Sequence, residues 1–180
     1  MKHTFEHVHS NIQIPKIKAF HFKCIHRAIY TECRLKKMKK SDGHCAICKK
    51  DEETTCHMLY ECENIITFWK KLEILIHENL MITVKFSAEN IVLMNMTFEN
   101  EDITKTVNFI IMEAKYCIWK NRNNVKYGKK ICKNTSSLLI DLNQKCKQKL
   151  ESIKTVYKCS KKHSSTMDFL EKFCNGFNNL

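Results

Sequence analysis

A mostly α-helical domain, broken once by a small cysteine-rich loop, is the fold that the sequence predicts. Three observations lead there. The 180 residues include only 3 Gly and 1 Pro, too few to punctuate the tight turns of a sandwich or barrel. Apolar residues recur at spacings of three and four over most of the length, the period of a helix face. A composition of 43% hydrophobic and 28% charged residues suits a chain that buries a core.

The elements follow in order. Ile17, Phe20, Cys24 and Ala28, then Leu35 and Met38 after a break near Thr31, predict two short basic helices over 16–29 and 31–39. Beyond Cys62, the residues Ile65, Ile66, Trp69, Leu72, Leu75 and Ile76 trace one helical face. Residues 81–96 read as mostly irregular, a strand or loop before a short helix capped by Ser87, because Asn90 is not the Glu or Gln that closes a capping box. Asp102 reads as the N-cap of a long amphipathic helix carrying Val107, Ile110, Ile111, Ala114, Ile118 and Trp119 to about Asn123. A basic connector, 124–133, contains Gly128 and holds Lys126, Lys129, Lys130 and Lys133. Thr135 or Ser136 then caps a helix running from Leu138 to Tyr157, and a last segment spans 167–177. The expected organisation is a basic helical pair plus the loop in 1–80 and a helical region in 81–180.

Charge is segregated. The net charge of +12 divides into +9 over residues 1–50, −8 over 51–114, +7 over 115–133 and +4 over 134–180. Two basic stretches around an acidic middle point towards a polyanion, with solvated helix faces as the bland alternative. No apolar run approaches membrane-spanning length, and the first twenty residues carry His and Lys where an export signal would be apolar. The expectation is a nuclear or cytoplasmic protein without a membrane partner.

Eleven cysteines in a chain of this kind are expected to be reduced. Cys24, Cys33, Cys117, Cys132, Cys146, Cys159 and Cys174 stand alone, as small buried hydrophobes do. Cys45, Cys48, Cys56 and Cys62 crowd together, and the spacing Cys45-x2-Cys48-x8-His57-x4-Cys62 offers three thiolates and an imidazole, a closed set for one structural Zn2+. A redox Cys-x-x-Cys pair is one competitor, although the βαβ context is lacking, and four metal-free thiols are the other. Cys56 and His44 are spare ligand types. Ser41, Asp42 and Gly43 supply the turn before the loop, and Asp51, Glu52 and Glu53 within it read as solvated charge.

The run Arg34-Leu35-Lys36-Lys37-Met38, followed by Cys45-x2-Cys48, Glu53-Thr54-x2-His57-Met58-Leu59-Tyr60-Glu61-Cys62 and Phe68-Trp69, resembles the zinc-binding region behind the polymerase core of LINE-type (non-LTR) retrotransposon reverse transcriptases. Downstream, Val107-Asn108-Phe109-Ile110-Ile111 and Ala114-Lys115-Tyr116-Cys117-Ile118-Trp119-Lys120 resemble a helix near the end of the same polyproteins. Glu63 departs from the Pro that many relatives carry after the last ligand. The resemblance implies a carboxy-terminal piece of such a polyprotein, with RNA or DNA and other retrotransposon proteins as candidate partners.

Catalysis is not expected. Two-metal polymerisation needs converging carboxylates such as a Tyr-x-Asp-Asp turn, and Asp42, Asp51, Asp102, Asp141 and Asp168 are scattered. What remains is binding: Arg27, Arg34, Lys36, Lys37, Lys39, Lys40, Lys49 and Lys50 surround the loop and are the expected phosphate contacts. Tyr30 and Tyr60 are candidate base-stacking aromatics, with core packing as the competing reading, whereas Trp69 and Trp119 are expected in the core. A zinc-stapled helical scaffold for a protein partner is the alternative function.

Overall fold

The computed structural model describes residues 15–128, 130–158 and 165–179, and these form helices joined by loops. In order they are α1 (Pro15–Ile25), α2 (Glu32–Lys37), a π-helical turn (His57–Glu61), α3 (Glu63–Leu80), α4 (Ala88–Leu93), α5 (Glu101–Lys126), α6 (Thr135–Lys158), α7 (Ser165–Asn175) and a 3-10 turn (Gly176–Asn179). Among the described residues no strand forms, and pairing is limited to one antiparallel bridge between His44 and Glu52. No helix among them is long and apolar enough to cross a membrane.

The two basic helices are shorter than their periodicity predicts because each ends on a left-handed residue. Arg27 (φ 49°) stops α1, where the Ala28 N–H donates back to the Lys23 carbonyl (2.7 Å). Lys39 (φ 56°) stops α2, with the Lys40 N–H on the Leu35 carbonyl (2.9 Å). Both are Schellman-type ends built without glycine. The Ser87 box is also real: Ser87 N–H donates to Asn90 Oδ1 (2.9 Å) and Asn90 N–H to Ser87 Oγ (3.2 Å), so an amide does what Glu or Gln usually does. Helix α4 therefore forms in a stretch expected to be mostly irregular.

The long helix starts earlier than expected. Asn100, not Asp102, is its N-cap, accepting from the N–H groups of Asp102 (2.9 Å) and Ile103 (3.1 Å). The Asp102 carboxylate instead accepts from Thr166 Oγ1 (2.8 Å) and from Ser165 Oγ, tying α5 to the start of α7. The helix runs on to Lys126, which removes that residue from the connector. Asn134, one position before the expected caps, accepts from the Ser137 N–H (2.9 Å) at the start of α6. Lys129, Cys159 and the side chain of Tyr157 lie outside the described residues.

One buried cluster runs from α1 (Ile17, Phe20, Cys24) through α3 (Ile65, Phe68, Trp69, Leu72) and α5 to Leu142 of α6 and Phe173 of α7, so the core is continuous across position 80. Helix α3 packs on α6 and α7, and α5 on α1, α6, α7 and the π turn. Cys146 and Cys174 are not isolated hydrophobes, since their buried side chains meet across α6 and α7. Trp119 is half-buried rather than in the core.

Helix α5 also buries charge. Lys115 is fully enclosed, with Nζ 2.8 Å from His21 Nδ1 and donating to the Val92 carbonyl (3.0 Å). Glu113 is 3% exposed, and burial pushes its carboxyl from 4.5 up to about 7, against the pull of Lys145, Lys149 and Lys16. Between those pH values the folded state holds more proton than the unfolded one, so this group's contribution to stability falls as pH rises through about 7. Glu113→Gln should therefore raise stability by about 3 kcal/mol at pH 8, the gap narrowing as pH falls towards 5. Urea unfolding of both proteins at several pH values measures it, and a gap independent of pH would contradict the assignment.

Candidate metal centre and its cationic surround

The metal-type residues are gathered by a tight loop and an unusual turn. Gly43 adopts φ +94°, where a side chain would be strained. Ser41 Oγ accepts from its N–H (3.1 Å) and Asp42 Oδ1 from the His44 N–H (3.0 Å). The chain then folds back on itself, with Cys45 N–H on the Asp51 carbonyl (2.8 Å) and Glu53 N–H on the Gly43 carbonyl (3.0 Å). Lys49, left-handed at φ 64°, closes the Cys45-x2-Cys48 knuckle, its N–H donating to the Cys45 carbonyl (3.0 Å).

Five positions separate His57 from Cys62, which on an ordinary helix of 3.6 residues per turn would put them about 140° apart. The π turn removes the mismatch. Cys62 N–H donates to the His57 carbonyl (3.0 Å), an i→i+5 bond, and the widened turn swings both ligands to one side. Thr54 Oγ1 accepts from the His57 N–H (3.0 Å) and Trp69 Nε1 donates to the Leu59 carbonyl (2.7 Å), so the start and the middle of the turn are held.

The outcome is a buried cluster of Cys45, Cys48, His57 and Cys62 whose ligand atoms all lie within 4.8 Å of one another. Cys45 Sγ is 4.0 Å from Cys62 Sγ, and His57 Nε2 is 3.4 Å from Cys48 Sγ. A zinc tetrahedron with Zn–S near 2.3 Å has ligand–ligand edges of about 3.8 Å, so the set fits that ion. The Cys62 thiol donates to Cys45, and this bond, working against burial and aided by the backbone N–H groups of Cys48 and Ile47, holds the Cys45 thiol below its usual range, the direction that favours a metal-binding thiolate. Cys56 is half-buried outside the cluster, and His44 is exposed, its Nδ1 against the Lys50 carbonyl (3.2 Å).

Glu53 corrects the expectation of solvated charge, being wholly buried. Its carboxylate accepts from the Ala46 N–H inside the knuckle (3.1 Å), from the Glu32 N–H (2.9 Å) and from Arg122 through Nε (3.2 Å) and Nη2 (2.6 Å). Arg122, 1% exposed near the end of α5, also pairs with Glu32, which takes Lys126 and Ser41 as well. Burial opposes ionisation of Glu32, yet the bonds from Lys126 and Ser41 and the charge of Arg122 hold its carboxyl below the usual range. A buried network thus fastens the knuckle to a helix some seventy positions away (|i−j| 69 for Glu53 and Arg122). The sequence offered one signal of it: two basic residues, Arg122 and Lys126, four apart in a helix otherwise packed into the core.

All eight expected phosphate contacts are exposed. Lys36 pairs with Glu52 (2.9 Å) and Lys50 with Glu63 (2.8 Å), both in solvent, where water screens such pairs and holds them only weakly. Arg34 Nη1 donates to the Arg27 carbonyl (2.8 Å) and its guanidinium lies 5.3 Å from the Tyr30 ring. Tyr60 is taken up structurally, its hydroxyl donating to the Phe86 carbonyl (2.8 Å), while Tyr30 is 55% exposed.

A family model described as zinc-binding in reverse transcriptase matches residues 1–69. That stretch includes the cluster, the π turn and Trp69, and it is similar to a reverse transcriptase zinc-binding region; the resemblance seen in 107–120 lies beyond it. No curated protein and no solved structure matches the chain.

Proposed function

We propose that the chain is a non-catalytic, carboxy-terminal piece of a non-LTR retrotransposon reverse transcriptase that binds nucleic acid, template RNA or target DNA, through a zinc-fixed module. The observation that carries this reading is the set of exposed Lys and Arg that flanks a buried Cys3His cluster along the chain. One Zn2+ held by Cys45, Cys48, His57 and Cys62 would act structurally, ordering a loop too small for its own core. The match to a zinc-binding region in reverse transcriptase supports the zinc-fixed module.

Rigidity decides which cations grip. Lys36 and Lys37 sit on α2, and Lys39 and Lys40 on its bonded end, so contacts there sacrifice little conformational entropy. Of the other basic stretch, Lys126 is committed to the buried Glu32, while Lys133 holds only an exposed pair with Asp141 (2.5 Å) and sits in the loop before α6. Changing Lys36, Lys37, Lys39 and Lys40 together to Gln should make the slope of log K against log salt shallower by about three to four units for duplex DNA. Absence of binding by the parent protein at low salt would instead favour the zinc-stapled scaffold for a protein partner.

A further inference from the structure

Beside the metal module, α1, the 28–30 loop and α5 enclose an open cleft of about 730 Å³, inside the roughly 300–1,000 Å³ range of ligand sites. Its wall is aromatic. Phe20, Tyr116 and Trp119 form one ring cluster, with centroids 5.1–5.5 Å apart, and Tyr30 and Tyr127 complete the lining. Both of these tyrosines remain largely exposed, at 55% and 62%.

Cations alternate with the rings. Lys16 lies 6.0 Å from the Tyr116 centroid and Arg34 5.3 Å from Tyr30, while Lys126, outside the lining and paired with Glu32, stands 5.4 Å from Tyr127. Lys23 adds a further charge to the lining, and among the described residues no Asp or Glu belongs to it. Exposed ring faces set between cations, with no acid among them, match the alternation of base and phosphate in an unpaired strand, and stacking needs no particular base. A duplex keeps its bases stacked inside and offers the cleft only phosphates.

We infer that this cleft is a base-stacking groove for single-stranded nucleic acid, with Tyr30 and Tyr127 as its stacking platforms and Lys16, Lys23 and Arg34 as its phosphate contacts. The inference rests on the nucleic-acid reading above and adds a preference that the cations flanking the metal loop do not provide by themselves. Arg34 belongs to both sets.

The test uses the full chain loaded with Zn2+ and labelled oligo(dT) and oligo(rU) of about 12 nucleotides, within the site sizes of strand-binding modules, beside a duplex of equal length. Fluorescence anisotropy should show the double variant Tyr30→Ala, Tyr127→Ala binding both single strands at least about tenfold more weakly, with duplex affinity within about twofold of the parent. Tyr30→Phe, Tyr127→Phe should keep single-strand affinity, because the ring and not the hydroxyl stacks. Zinc content and circular dichroism of each variant confirm that the fold is retained. Equal losses on single strands and duplex, or no loss on either, would overturn the groove while leaving nucleic-acid binding intact. A parent protein that binds neither would end both readings. Polyglutamate bound as tightly as oligo(dT), with the same sensitivity to the tyrosine changes, would overturn the groove in favour of an acidic protein partner.

Discussion

Arg122→Ala is expected to destabilise the protein by about 3–5 kcal/mol, a large share of the roughly 5–15 kcal/mol that holds a domain together. The reason is the carboxylates left behind. Glu53 is wholly buried and Glu32 4% exposed, and without the guanidinium their charges face each other with Lys126 as the remaining cation of the network. Zinc affinity should fall about tenfold as well, since Glu53 holds the Ala46 N–H beside Cys45 and a released carboxylate no longer orients that turn. Urea unfolding and competition with a chelator measure the two effects. Arg122→Met combined with Glu53→Gln should lose less stability than Arg122→Met alone, because the amide still accepts from the Ala46 N–H and one buried charge is gone. A loss under 1 kcal/mol in Arg122→Ala would show that the network contributes little.

Cys62→Ser is expected to release the metal and loosen residues 41–62. Binding of structural zinc amounts to about 10–16 kcal/mol in small peptides, and here it would compensate for a loop of buried polar groups. The change removes one ligand and also the thiol that donates to Cys45. Elemental analysis should find about one zinc in the parent protein and less than half an equivalent in the variant. Cys56→Ser is the control and should retain the metal, because Cys56 stands outside the cluster. Metal loss in that control would mean that the fourth ligand had been misassigned.

The helical class, the helix beyond Cys62 and the gathering of four metal-type side chains were legible because each rests on local information. Spacings of three and four report one face of one helix, and the Cys45, Cys48, His57, Cys62 pattern reports chemistry within eighteen consecutive positions. The helix ends were less legible. Arg27 and Lys39 terminate α1 and α2 in left-handed conformations that composition does not announce, and Asn90 closes a box normally closed by Glu or Gln.

Only the tertiary structure decided the roles of Glu53, Arg122 and Lys115. Each looks like surface charge in a linear reading, since charged residues are seldom buried without a partner. The partners of Glu53 and Arg122 are each other, 69 positions apart, and Lys115 meets His21 across 94. Such pairing follows from which helices pack together, and no short-range pattern encodes it. The π turn belongs to the same category: the sequence by itself determined that His57 and Cys62 are five apart, and the packing of α3 through Trp69 against the Leu59 carbonyl accompanies the wide turn that brings them together.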